Sequence, residues 1–420
     1  MHSEDPSRPE RRPDPRCPVH HLPDDPGSMD NPYPLLERLR LSGPVTRVRL
    51  YRRFNVWWTT THSAAVAALN APELGSDQRN VHPDLAPHIS PMRVGLIDKD
   101  PPDHTRLRAA ALRAFSGRAL PEFDRRAREL CAELVDGLTP ERPTDLLSVL
   151  IRPLVDHTVA ELLGLPHRTN ETLRSQAENL VRPLDGDAVR AGIAEARVTL
   201  QRHIRAAARP ASGDARRRGP RPQCDVLSDE TAEDWPPATS EEWTDVVLQM
   251  YVAGRQSTAD FLGTLLLGVL AMDGWAGLCR DPAIRRSAIQ EYLRLDGPIV
   301  RGVWRFARTD LTLAGTPIAA GDIVIVSLAL ADRDPAVFRG PTRADWLRSP
   351  NRHVQFGLGA HRCIGAPLVH SLGDALLNAL AGRFPNARLA ESTAAPPRAR
   401  PRVFRGPDRV PAILDPPHPR

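Results

Sequence analysis

Cys363 lies in Phe356-Gly357-Leu358-Gly359-Ala360-His361-Arg362-Cys363-Ile364-Gly365, where three glycines surround one sulfur and an apolar helical pattern follows. Glycine tolerates tight and left-handed turns, so Gly357, Gly359 and Gly365 let the backbone fold closely around the thiol. Amides aimed at a thiolate stabilise its charge and tune a metal bound to it. Arg362 adds positive charge beside the sulfur, and the next helix brings its N-terminal dipole end near. These are the requirements of an iron–thiolate ligand. A buried cysteine in a glycine-rich turn is the plainer alternative that the loop alone leaves open.

Three further constellations carry chemistry. Asp100-Pro101-Pro102-Asp103 opens a helix on which His104 and Arg108 share a face, suited either to a buried dicarboxylate or to solvent. A capping box, Thr239-Ser240-Glu241-Glu242, starts an apolar helical pattern that continues to about Met272. Polar residues interrupt it at Ala253-Gly254-Arg255-Gln256-Ser257-Thr258. Small Ala253 and Gly254 open space for a ligand or for a neighbouring helix, and Ser257 presents a hydroxyl. Finally, Glu291 and Arg294 lie three apart on a helix capped by Asp281-Pro282. On a surface such a pair contributes little.

The cysteine loop resembles the haem-ligand loop of the cytochrome P-450 family, Phe-Gly-x-Gly-x-His-x-Cys-x-Gly, at every fixed position. Asp-Pro-Pro-Asp-His-Thr-Arg-Leu-Arg resembles that family's Asp-Pro-Pro-Glu-His-Thr-Arg-Leu-Arg. The resemblance implies haem b with the Cys363 thiolate as proximal metal ligand. It makes Phe356 and Gly357 part of the haem loop, and gives the propionates to His104, Arg108, Arg305 and His361. The central interruption resembles Ala-Gly-x-Glu/Asp-Thr-Thr, the oxygen-binding kink, so Ala253, Gly254, Gln256 and Ser257 become the catalytic positions. Here the chain departs from the family: Gln256 replaces an acid, and Ser257 replaces threonine. A glutamine cannot dissociate, although it can position a water. Glu291 and Arg294 match the family's buried Glu-x-x-Arg pair, with Arg343 expected as the second arginine. Ile299 and Val300, just before Arg305, are expected to line the substrate pocket.

The fold implied is mainly helical with a small β-rich lobe and a long central helix over the haem. One catalytic domain over 31–412 is expected, between a Pro/Arg-rich disordered tail (1–30) and a C-terminal tail (413–420). Val45–Leu50 and Asn55–Thr60 read as strands, and Leu311–Gly315 with Ile323–Val326 as two more joined through Gly321-Asp322. Residues 209–238 read as a Pro/Arg/Gly-rich linker. Composition is globular, with 41% hydrophobic and 25% charged residues, and a net charge of +5 gives no case for nucleic acid. The five scattered cysteines suggest neither a disulfide framework nor a zinc site. No apolar run or leader suggests a membrane span or export, so a cytoplasmic monomer is expected.

The activity implied is oxidation of a small organic molecule by oxygen, as a tailoring step in natural-product biosynthesis. Electrons come from a ferredoxin and ferredoxin reductase, docking on a basic face around Arg113, Arg352 and Arg362. Oxidative radical coupling of an aromatic substrate, such as a cyclic dipeptide, is the alternative that the Gln256/Ser257 departure favours. A non-catalytic haem sensor is a third class.

Overall fold

One helix organises the molecule, and its sequence explains why. The computed structural model describes residues 19–21, 31–50, 54–86, 95–114, 119–139, 143–180, 186–207, 239–390 and 404–415. Helix α8 (Ser240–Leu270) starts at a complete capping box, in which Thr239 accepts from the Glu242 amide and Glu242 returns a bond to the Thr239 amide. Its 31 residues span about 46 Å at 1.5 Å per residue. Apolar residues surround most of its circumference, so it runs buried from Trp243 to Leu270.

The other longer helices are α1 (Tyr33–Arg40), α2 (His62–Asn70), α3 (Asp103–Ala114), α4 (Ala119–Asp136), α5 (Arg152–Leu162), α6 (His167–Leu180) and α7 (Gly186–Ala207), then α9 (Pro282–Asp296) and α10 (Ala366–Arg383). Helices α5, α7 and α9 pack on α8, and α10 packs between α4 and α9. Around α8 they form one large core containing Leu150, Phe261, Leu265, Ile289, Leu372 and Leu376, while α1 and α2 pack on the β-rich lobe. Arg106 of α3 reaches Glu242 at the start of α8, fixing the two together.

The β-rich lobe is built from β1 (Val19–His21), β2 (Val45–Leu50), β3 (Phe54–Thr59), β4 (Leu74–Gly75), β6 (Val303–Ala307) and β9 (Ile323–Val326), in the order β1-β2-β3-β9-β6-β4. Strands β2 and β3 are antiparallel with Val48 opposite Val56, whereas β3 and β9 are parallel. Arg305 stands opposite Val324 in the antiparallel β6/β9 pair, so the sheet fixes where its guanidinium begins. A separate sheet pairs β5 (Thr144–Asp145) with β11 (Pro411–Ile413), and β11 with β10 (Arg388–Leu389). That pairing brings the C-terminal segment back onto the helical core.

Several expectations change here. Val19–His21 belongs to the sheet, pairing in parallel with Arg47–Arg49, instead of to a disordered tail. The other residues of 1–30 and the 209–238 linker lie outside the described residues. Ile413 is in β11 and Leu414 is fully buried, so the packed chain extends past 412. Leu311–Leu313 (β7) pairs with Thr316–Ile318 (β8), not with Ile323–Val326. The reason is local: Ala314 (φ 46°) and Gly315 (φ 82°) make a two-residue left-handed turn that closes a hairpin.

Candidate active site

The cysteine loop is a set of turns that end at the start of α10. Gly357 and Gly359 have φ of 66° and 68°, conformations open to glycine at little cost. The Gly357 amide donates to the Val354 carbonyl (2.8 Å), and the Cys363 amide donates to the Phe356 carbonyl (2.7 Å). A Cβ at Gly359 would press on the Leu69 carbonyl at 3.2 Å, so the loop lies against α2. Crowding by protein raises the Cys363 thiol pKa, while the Gly365 and Ala366 amides and the charges of Arg108 and Arg362 work to lower it. Cys363 nevertheless keeps exposed surface. An accessible sulfur facing two amides and two guanidiniums suits a thiolate metal ligand.

Near the cysteine loop, two guanidiniums and two imidazoles converge from three elements. His104 and Arg108 come from α3, His361 from the cysteine loop and Arg305 from β6. The His104 and His361 rings stack at 4.0 Å between centroids. Arg108 donates to the Arg362 carbonyl (2.5 Å), tying α3 to the loop, and Arg305 donates to the Trp304 carbonyl (2.9 Å). Burial and the charges of Arg108 and Arg305 pull the His104 pKa down to about 4. Asp100 opposes this shift and stands 3.9 Å from His361.

These residues pass a test for haem. His104 is 1% exposed, and among the described residues its Nε2 has no hydrogen-bond partner. A buried polar atom left this way is costly, and cationic neighbours favour an anionic one. Haem offers a metal for the soft sulfur and two propionates for the cationic cluster.

On α8, Ala253, Gly254, Gln256 and Ser257 are all partly accessible, in contrast to the buried residues on either side. The Ser257 hydroxyl donates to the Ala253 carbonyl at 2.5 Å. Gln256 Nε2 donates to Asp260 Oδ1 at 2.8 Å. Of the other polar residues of the interruption, Arg255 turns away to pair with Asp156 of α5, and Thr258 is buried. Of the two residues expected to line a pocket, Ile299 is half-buried against one apolar cluster of the β-rich lobe, and Val300 is buried in another.

The buried acid network also differs from expectation at one member. Glu291 and Arg294 form a two-bond pair at 2.7 and 2.9 Å, fully shielded from solvent. The second guanidinium belongs to Arg348, whose Nε lies 3.0–3.1 Å from both Glu291 oxygens, and not to Arg343. Arg343 is exposed and offers only its carbonyl, to Arg294 at 3.2 Å. Both arginines lie in an aperiodic segment, where spacing gives no facing. The Asn351 amide and the Asp345 backbone amide complete the acceptor sites of Glu291.

Sequence reasoning missed the groups that join this network to the cysteine loop. Gln290 of α9 bridges His353 and His370, and Phe356 has its ring 5.8 and 5.4 Å from those imidazoles. Buried Asp332 accepts from the Val354 amide at 2.7 Å. It also missed Asp260, although its four-residue spacing from Gln256 was a readable signal.

Comparison with known proteins follows the same lines. The sequence profile described as Cytochrome P450 matches residues 285–379, from α9 through the cysteine loop into α10. Cytochrome P450 monooxygenase PikC of Streptomyces venezuelae is 32% identical over 363 residues, covering 86% of this chain and 85% of that protein. The tirandamycin C-bound P450 monooxygenase TamI superposes with a TM-score of 0.82 at 28% identity, over 94% of this chain and all of that one. The P450 enzyme CxnD, for C–S bond formation in chuangxinmycin biosynthesis, gives a TM-score of 0.84 at 25% identity, over 96% and 99%. No helix among the described residues is long and apolar enough to cross a membrane.

Proposed function

Since this chain belongs to the cytochrome P450 family of oxidoreductases, we propose that it binds haem b through Cys363 and oxidises a small natural-product molecule. The observation that carries this reading is the Cys363 sulfur, held against the Gly365 and Ala366 amides with Arg108 and Arg362 beside it. Haem iron with a thiolate ligand supplies activation of molecular oxygen. The amides and guanidiniums hold negative charge at Sγ. His104, Arg108, Arg305 and His361 hold the propionates, and the burial of His104 and Arg305 limits competition from water for those bonds.

On α8, partly accessible Ala253 and Gly254 leave room for substrate. Ser257 and Gln256 supply the polar surface there, and neither can replace a dissociable acid. Ile299 adds an apolar contact. Exposed Arg352 and Arg362 provide a basic face for a ferredoxin reduced by its ferredoxin reductase. Arg113, expected to join them, has its side chain outside the described residues. The unit acts as a cytoplasmic monomer. Its substrate class follows the relatives, whose names refer to tirandamycin C and to chuangxinmycin biosynthesis.

A second reading is bond-forming oxidation, in which two centres of the substrate are joined. Gln256 in place of an acid favours it, as does likeness to a structure named for C–S bond formation. Turnover with a ferredoxin, its reductase and candidate natural products, read by product mass, separates the two. Gain of one oxygen supports monooxygenation; loss of two hydrogens, with or without doubling of mass, supports coupling. Haem-loaded enzyme that consumes no reductant with any candidate substrate contradicts both.

A further inference from the structure

The polar pair on α8 has an unusual property once its hydrogen bonds are counted. The only proton of Ser257 Oγ is committed to the Ala253 carbonyl. Its remaining capacity is lone pairs. Gln256 is committed in the same sense. A glutamine amide has two nearly isosteric orientations, and its surroundings choose between them. Here Nε2 donates to Asp260 Oδ1, one helical turn along α8, so Oε1 is the end left for other partners. The Nε2–Oδ1 contact selects this orientation; an asparagine in place of Asp260 would accept either.

Asp260 is itself held firmly. It is 3% exposed, and the C-terminal segment packs on it through Gly406, where an added Cβ would collide with the Asp260 Cβ and Cγ. Pro407 of the same segment packs on Gly263, one turn further along. The acid therefore cannot swing away from Gln256 without moving this segment.

We infer that Asp260 is a positioning residue that fixes the Gln256 amide with its carbonyl oxygen outward, so that Gln256 and Ser257 together form an acceptor-only surface selecting substrates that carry an N–H or O–H donor. This rests on the haem-thiolate reading of the site, because that reading makes the accessible face of α8 the substrate face. Such selectivity has a physical basis: a site built to pair with a donor leaves its own buried acceptors unpaired when the donor is missing.

The test uses the haem-loaded enzyme and two iron-ligating probes that both ligate through N3 and differ in one donor, imidazole and 1-methylimidazole, titrated by the shift of the Soret band. The size of the methyl group cancels when the ratio of affinities is compared between variants. The ratio favouring the N–H probe should fall about fivefold in Asp260→Asn, the size of one net hydrogen bond. Affinity for the methylated probe should change little. Gln256→Met should lower the ratio similarly, and the double variant should lower it no further, since both act through one bond. An unchanged ratio in both single variants, or equal weakening of both probes, would overturn the inference while leaving the haem reading intact. If neither probe shifts the Soret band of the unaltered enzyme, the accessible face of α8 is not open beside the iron and the inference fails.

Discussion

The two sides of the site differ in how they are held. The cysteine side is tied by long-range bonds: Arg108 to the Arg362 carbonyl, Val354 to Asp332, and Gln290 between His353 and His370. Below these lies the Glu291 network, with two guanidiniums, a side-chain amide and a backbone amide on one carboxylate. The α8 side is held mostly by bonds four residues apart on one helix, Ser257 to Ala253 and Gln256 to Asp260. Fixing a metal ligand needs contributions from many segments, so a change there propagates. A substrate face built on one rigid helix can change one residue at a time. That is where this chain departs from its family.

If the contrast is right, the largest effect comes from Glu291→Ala. Two buried guanidiniums lose their carboxylate, which should cost about 3–5 kcal/mol and show as a lower yield of folded protein and a lower Tm. Arg348→Ala should share much of that loss, while exposed Arg343→Ala should stay within about 0.5 kcal/mol. Equal effects of the two arginine variants would break the assignment of Arg348. Next in size, His104→Ala combined with Arg108→Ala should speed loss of haem to an apo-globin acceptor. Unchanged retention would return both residues to an ordinary basic face.

A pH effect should follow from the cysteine side. Burial, with His370, Arg294 and Arg362 nearby, lowers the His353 pKa from 6.5 to about 4. Between those values the unfolded chain binds a proton that the folded chain refuses, so stability falls as pH drops through this window. His353→Gln should flatten that part of the curve of Tm against pH, and an unaltered slope would sink the idea. The smallest expected effect is on α8: Gln256→Glu should redistribute products, raising hydroxylation or peroxide release, with a modest fall in Tm because the new carboxyl meets that of Asp260. Ser257→Ala should reduce turnover less than general acid assistance at its full ~10²–10⁴-fold would imply. Unchanged products in the first variant with near-total loss in the second would make Ser257 an ordinary relay.

Legibility in the sequence followed the range of the interactions. The capping box at Thr239, the cap at Asp281 and the glycine spacing around Cys363 are local signals, and the corresponding elements form where those signals lie. Val19–His21 becomes a strand because β2 offers a free edge, which a Pro/Arg/His-rich stretch does not advertise. Arg348 and Arg343 occupy one irregular segment, and only the fold decides which of them turns inward. The Gln290–His353–His370 bridge joins three segments distant in sequence, and no single one carries a pattern for it.

The central claim is that Cys363 is the thiolate ligand of a bound haem. The direct measurement is the absorption spectrum of the reduced protein under carbon monoxide, for the unaltered chain and for Cys363→Ala. The unaltered chain should give the strongly red-shifted Soret band of thiolate ligation, and the variant should lose it even where haem is retained. Persistence of that band in Cys363→Ala, or its absence from haem-loaded unaltered protein, would contradict the account.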